Sequence, residues 1–246
     1  MDRHGGTELT DAHLKEIGVL KNLKSLHFYD TPHVTGEGLK SLVNVEQLTG
    51  LMFVNAPLTN AGLKVVGSFK RLEVLGLNGT KITDEGLKEL AGLTELTRLG
   101  LPDNQITGTG FEHLGGLTKL KLLVLNHAPL SDAGVKEIAR LKNLESLNLY
   151  ESKVSDKSMK ELTGLKNLKE LYLDHTDIGD EGVKELAKLE QLTVLGLRRT
   201  KVTDEAMQNL VKLTNLTDLN LADTKVTDKA VKEFQKKFPK CRVIRG

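Results

Sequence analysis

The stretch LEVLGLNGTKITDEGLKELAGL, residues 72–93, decides the fold of this chain. Its leucines lie at two different spacings. Leu75 and Leu77 are two residues apart, which is the alternation of a short strand with one buried face. From Leu87 onward, three leucines recur at every third residue, which predicts a helix with one apolar side. The stretch therefore predicts one strand followed by one helix.

The same pattern recurs along the chain at a spacing of 24 residues, with one extra residue in the first unit near Pro32. Nine units begin at Leu23, Leu48, Leu72, Leu96, Leu120, Leu144, Leu168, Leu192 and Leu216. They cover residues 23–233. A helical half-repeat over residues 7–22 precedes them, and a cap over residues 234–246 follows. One unit alone cannot bury its leucines, so we expect residues 1–246 to stack into a single solenoid domain.

Each unit is numbered here from its first leucine, so that Leu75 occupies position 4. We expect an α/β solenoid shaped as a curved horseshoe, with a parallel sheet on its concave face and helices on its convex face. Thr83 is expected to cap its helix, with Asp84 favourable at the positive end. Position 15 holds only glycine, serine or alanine, which predicts that neighbouring units approach closely there.

The unit pattern resembles a known family of repeats. Leu-x-x-Leu-x-Leu-x-x-Thr/Asn-x-Ile/Val-Thr-Asp-x-Gly-Leu-Lys-x-Leu-x-x-Leu is similar to the leucine-rich repeats of the ribonuclease-inhibitor-like superfamily. More narrowly, it resembles the 24-residue bacterial repeats of GALA-type effectors and planctomycete proteins. The resemblance covers residues 7–244 and implies an interaction scaffold, since such repeats bind unrelated partners. GALA effectors carry an F-box, which we do not expect here, because Met1 to Gly6 alone precede the pattern.

The resemblance also implies a ladder of side chains at position 9, where the family's asparagine bonds neighbouring turns. This chain holds threonine, serine or asparagine there in most units, but Ala56 and Ala128 in two of them.

Composition and charge restrict the partners that we expect. The 35 basic and 33 acidic residues leave a net charge of +2, so no nucleic-acid or membrane partner is predicted. Cys241 is the sole cysteine and forms no intrachain disulfide. Since Met1 to Gly6 do not resemble a signal peptide and the chain has one cysteine, we expect a cytoplasmic location. We also expect a monomer. Export through a signal absent from this sequence is left open.

Positions 3, 5, 7 and 8 are expected to face solvent from the concave face, and we expect a protein or peptide to bind there. All three tyrosines fall on these positions, whereas the phenylalanines fall on core or cap positions. Exposed tyrosine on a rigid sheet is typical of interfaces. The predicted partner-binding residues lie in units five to eight and are His127, Asn148, Tyr150, Glu151, Tyr172, Asp174, His175, Arg198 and Arg199.

An alternative function uses the row formed by His127, Glu151 and His175 at position 8 of three successive units. Imidazole and carboxylate groups bind zinc, so the row is compatible with a metal or small-ligand sensor, or with a weak hydrolase. The interpretation that we favour is a ladder of surface charges that continues to Arg199 and Asp223, with Glu151 pairing the histidines. We predict no enzyme activity, no catalytic residue, no cofactor and no metal ligand.

Overall fold

The computed structural model describes residues 9–245 and shows one parallel sheet whose strands follow chain order. The first two residues of the predicted half-repeat, the segment from Met1 to Gly6 and residue 246 lie outside the described residues. The strands are β1 (Ser25–Tyr29), β2 (Gly50–Val54), β3 (Val74–Asn78), β4 (Arg98–Gly100), β5 (Leu122–Val124), β6 (Ser146–Asn148), β7 (Glu170–Tyr172), β8 (Val194–Gly196), β9 (Asp218–Asn220) and β10 (Arg242–Ile244). The predicted solenoid with a parallel sheet is confirmed, and β10 comes from the predicted cap.

Helices alternate with the strands along the chain. The α-helices are α1 (Leu14–Ile17), α2 (Asn60–Val66), α3 (Asp84–Leu87), α4 (Asp132–Ile138), α5 (Asp156–Leu162), α6 (Asp180–Leu186), α7 (Asp204–Leu210) and α8 (Asp228–Lys237). Units one and four form 3₁₀ helices instead, at Glu37–Leu42 and Thr109–His113. Both follow a glycine with left-handed backbone, Gly36 or Gly108, at position 13. No helix within residues 9–245 is long and apolar enough to cross a membrane.

Leucines fill the space between the sheet and the helices. Leu99, Leu123 and Leu147 stand opposite one another on adjacent strands, and all three are fully buried. The strands are shorter than the leucine pattern predicts, because β4 to β9 end at position 5. Backbone hydrogen bonds between units nevertheless continue beyond them, from Leu125 N to Asn148 O at 2.9 Å. The hydrogen-bonded backbone of the concave face therefore extends beyond the ends of the assigned strands.

In most units, a carboxylate at position 13 joins the helix start to the following unit. Asp84 Oδ2 accepts hydrogen bonds from the backbone N and Oγ1 of Thr107, at 2.8 and 2.7 Å. Its Oδ1 accepts from the backbone N–H groups of Gly108 and Gly110. Equivalent carboxylates that bind position 12 of the next unit are Asp11, Asp132, Asp156, Asp180 and Asp204. We call this set, with Asp84, the aspartate ladder.

The aspartate ladder corrects the predicted role of Thr83, whereas Asp84 does lie in the first turn of its own helix and has a second role besides. Thr83 precedes its helix but makes no capping bond with its side chain. Its backbone N donates to Asn60 Oδ1 of the preceding unit, at 3.1 Å. Asp84 likewise serves the helix of the following unit. Because a helix start leaves N–H groups without intrahelical partners, each unit depends on its neighbour to satisfy them.

Two further features set the distance between units. A Cβ atom on Gly110 would lie 2.3 Å from the carbonyl oxygen of Asp84, so the predicted close approach at position 15 is confirmed. At position 9, Asn104 donates to Leu77 O of the preceding turn, but Thr176 donates to Leu173 O within its own turn. The aspartate ladder thus makes most of the side-chain links that the resemblance assigned to position 9.

We predict that Asp132→Ala lowers the free energy of unfolding by about 0.5–2 kcal/mol, the usual cost of losing a helix cap. Asp132 accepts hydrogen bonds from Ser155 N, Ser155 Oγ and Ser158 Oγ, and alanine removes all three. Urea unfolding followed by circular dichroism measures the change. The matched control is Asp177→Ala, which removes an exposed pair with Lys201 and should cost less than about 0.5 kcal/mol. Equal losses would argue against the aspartate ladder.

The same carboxylate predicts a dependence of stability on pH. Burial raises the pKa of Asp132, but hydrogen bonds from Ser158 and Ser155 outweigh it and hold the pKa below its usual value. A depressed pKa stabilises the folded state above the unfolded-state value of about 3.9, and this contribution is lost as the pH falls through the folded-state pKa. The difference in stability between the wild type and Asp132→Asn should therefore shrink between pH 6 and pH 3. A constant difference would contradict this prediction.

Candidate binding site on the concave face

Position 8 has left-handed backbone in all nine units. The residues with positive φ there are Asp30, Asn55, Gly79, Asp103, His127, Glu151, His175, Arg199 and Asp223. Glycine adopts this conformation freely, and asparagine, aspartate and histidine tolerate it better than other residues. The predicted histidine row therefore lies in the turns after β5, β6 and β7 and not on the strands themselves. Backbone geometry alone accounts for histidine at this position.

Glu151 links the two histidines of the row. Its Oε2 lies 2.9 Å from His127 Nδ1, and its Oε1 lies 3.4 Å from His175 Nδ1. The ring of Tyr150 lies between the two imidazoles, with centroid distances of 5.1 and 5.0 Å. Hydrogen bonding between Tyr150 and Glu151 raises the pKa of the phenol and lowers the pKa of the carboxyl. The four side chains form one connected group, which we call the Tyr150 cluster.

The geometry of the Tyr150 cluster matches the charge-ladder interpretation of the row. Each imidazole contacts a different oxygen of Glu151, and the Tyr150 ring stands between them. Within residues 9–245, no three histidine, cysteine, aspartate or glutamate side chains form a group that could hold a metal ion.

The two arginines predicted in the site share one carboxylate. Arg198 Nε and Arg199 Nε donate to Asp223 Oδ2, at 3.1 and 3.0 Å. These bonds lower the pKa of Asp223. Both guanidinium groups remain about half exposed. The arginines therefore present positive charge at the edge of the Tyr150 cluster while they remain ordered by Asp223.

Asp174 is buried, whereas position 7 was expected to face solvent. It is 8% exposed, and its Oδ1 accepts hydrogen bonds from Arg198 N and from Asn220 Nδ2, at 2.9 and 3.2 Å. A Cβ atom on Gly196 would lie 2.1 Å from Asp174 Oδ2, so the carboxylate occupies the space that this glycine leaves free. Burial raises the pKa of Asp174.

Beside Asp174, the concave face holds a cleft of about 290 Å³, which we call the Tyr172 cleft. Its lining residues include Tyr172, Asp174, Gly196, Asp218, Asn220 and Arg242. Burial, and next the charge of Glu170, raise the pKa of Tyr172. Asp218 and Asp174 act in the same direction. Three nearby carboxylates therefore disfavour ionisation of the phenol.

The structure brings the nine predicted residues together only in part. Asn148 Oδ1 accepts from the backbone N of Tyr150 at 3.0 Å, so Asn148 supports the turn beneath the cluster. Asp218, Asn220 and Arg242 line the far side of the Tyr172 cleft and were not among the predicted site residues. Asp218 and Asn220 hold positions 3 and 5 of unit nine, so the alternation offered a signal for them. Arg242 offered none, because its strand lies in the cap.

The Tyr150 cluster predicts an altered tyrosine titration. The chain has three tyrosines and no tryptophan, so ultraviolet absorbance reports phenol ionisation directly. Since Glu151 raises the pKa of Tyr150, Glu151→Ala should lower that pKa. A parallel titration of Tyr150→Phe identifies the signal, and Asp103→Ala is the control at position 8 of another unit. An unchanged titration in Glu151→Ala would show that the two groups do not interact.

Comparison with known proteins agrees with this architecture. A family model described as a leucine-rich repeat region matches residues 101–245, and a second leucine-rich repeat model matches residues 72–91. No curated protein matches the chain.

Among solved structures, an internalin C2 from Listeria monocytogenes is similar, with a TM-score of 0.69 and 24% identity over 99% of this chain and 100% of that chain. An internalin, inlF, from the same species has a TM-score of 0.61 and 21% identity, over 96% of this chain and 88% of its own.

A plant peptide hormone receptor, RGFR1, in complex with RGF2, has a TM-score of 0.56 and 20% identity; the match covers 94% of this chain and 41% of the receptor. At these identities the likeness concerns the fold. The narrower resemblance to GALA-type and planctomycete repeats stays a prediction. The first family model matches more than half of this chain, and the chain therefore belongs to the leucine-rich repeat family.

Proposed function

We propose that this protein is a non-enzymatic scaffold that binds a protein or peptide through its concave face, with Tyr150, Tyr172 and Arg198 at the centre of the contact. Leucine-rich repeat proteins are generally protein-interaction scaffolds. One observation supports the choice of these residues. Parallel sheets are normally covered on both faces, and here helices cover one face while tyrosines occupy the other.

The side chains at this site lose little conformational entropy on binding. Tyr150 is already held between His127 and His175, and Arg198 is held by Asp223. Ordering a free side chain at an interface costs about 0.5–1.5 kcal/mol, so a group that is ordered beforehand binds more tightly. Tyrosine and arginine are also the residues that most often dominate binding energy.

The surface offers contrasting charges within a short distance. Arg198 and Arg199 lie on the side of the Tyr150 cluster, whereas Asp218 and Asp174 lie at the Tyr172 cleft. A partner with complementary charges would therefore bind in one register. The similar receptor RGFR1 was solved in complex with RGF2, which supports a peptide ligand for this fold.

We predict that Tyr150→Ala, Tyr172→Ala and Arg198→Ala each weaken partner binding by more than about 1 kcal/mol, the threshold for a major contributor. The partner is first captured from the native host with the wild-type protein and identified. It is then purified and titrated by calorimetry against each variant. Thermal melting confirms that every variant is folded.

Two controls locate the contact. Lys136→Ala changes the solvent-facing side of helix α4, and Asn78→Ala changes the concave face at β3, far along the sheet. Neither should alter the affinity by more than about 0.5 kcal/mol. Unchanged affinity in all three site variants, or a loss with Lys136→Ala, would move the contact away from the Tyr150 cluster and the Tyr172 cleft.

A further inference from the structure

We propose that the Tyr172 cleft is a subsite for a cationic side chain, arginine or lysine, of the bound peptide. The inference rests on the proposed function and specifies the chemistry of the partner. It is carried by a buried carboxylate, Asp174, that lines the cleft without a cation of its own.

Asp174 is incompletely satisfied. Within residues 9–245 it forms no ion pair, and its hydrogen bonds from Arg198 N and Asn220 Nδ2 both reach Oδ1. No side chain among the described residues donates a hydrogen bond to Oδ2, although the backbone N–H of Asp174 itself also bonds to this carboxylate. A buried carboxylate without a counter-ion is costly, and a cation that enters the cleft removes much of this cost. A cation bound in the cleft would therefore gain affinity by neutralising the charge of Asp174.

The arginines that border the cleft do not supply this cation. Arg242 pairs with Asp218, with Nη2 2.6 Å from Oδ1. Arg198 approaches Asp174 through its backbone N, while its guanidinium pairs with Asp223. Each guanidinium therefore already has a carboxylate partner.

The shape of the cleft suits a flat or slender cation. Tyr172 stands directly opposite Gly196 on the neighbouring strand, and the Asp174 carboxylate lies over this glycine beside the ring. Asn220 stands opposite Gly196 on the next strand, about 9.6 Å from the Tyr172 backbone by ordinary strand spacing. This width admits a guanidinium or ammonium group against the tyrosine ring, an arrangement that cation–π attraction favours.

The chemistry of the lining favours an organic cation over other ligands. An anion would meet Asp174, Asp218 and the phenol of Tyr172, and Arg242, the cation of the lining, is already paired with Asp218. A metal ion needs several converging ligands, and the part of the chain from residue 9 to 245 holds no such group of three. One carboxylate beside an aromatic ring is enough for a guanidinium, which binds through hydrogen bonds and ring stacking.

The test uses two small probes, Nα-acetyl-arginine methylamide and its neutral citrulline counterpart. Each is titrated into the ¹⁵N-labelled full chain, and the amide signals of Gly196 and Asn220 are followed by nuclear magnetic resonance. We expect saturable shifts with the arginine probe and binding about tenfold weaker or worse with citrulline, because a charge-assisted bond is lost. In Asp174→Asn the arginine probe should bind about tenfold more weakly. The control Asp177→Asn should leave binding unchanged.

Equal binding of both probes, or no shifts with arginine, overturns the cationic subsite. Where Asp174→Asn fails to fold, as judged by thermal melting, the comparison of probes on the unaltered protein decides alone. The proposed cationic subsite and the proposed binding face can be refuted independently of each other. Loss of partner binding in Tyr150→Ala together with equal binding of the two probes would refute the cationic subsite and leave the proposed binding face in place.

Discussion

The structure depends on one constraint: the leucines of each unit are buried only against the units on either side. Leu123 and Leu147 are fully buried because adjacent strands align them in one row. Such burial requires a close and constant approach between units. Small residues at position 15 permit the approach, and the aspartate ladder maintains it. The spacing between units is thereby fixed, and side chains on the concave face recur at regular intervals.

The same constraint explains which parts of the fold the sequence predicts. Strand order and the inward-facing leucines follow from local periodicity, and the structure agrees with both. The second role of Asp84 does not follow, because its hydrogen bonds go to Thr107 in the next unit. Sequence reasoning within one unit assigns a carboxylate to the nearest helix start. The true partner becomes evident only when units are placed side by side.

The candidate site also contains some residues whose position the sequence predicts and others whose position it does not. Alternation along a strand predicts that Tyr172 faces the concave side, and Tyr172 lines a cleft beside the strands, whereas Tyr150 lies in the turn after β6. The burial of Asp174 depends instead on a side chain that is missing from the neighbouring strand at Gly196. A pattern read along one strand cannot show this vacancy, since it arises across strands. The Tyr172 cleft, which requires β7, β8, β9 and β10 together, was not predictable for the same reason.

The left-handed backbone at position 8 helps to separate site residues that the fold explains from those that it does not. Histidine is a common choice for left-handed backbone, so His127 and His175 need no functional explanation. Glutamate and arginine are poorer choices there, yet Glu151 and Arg199 adopt φ values of 55° and 52°. Strained conformations are retained where the surrounding structure or function requires the side chain. Glu151 joins both histidines to Tyr150, and Arg199 shares Asp223 with the other arginine, so backbone strain directs attention to the charged residues around Tyr150.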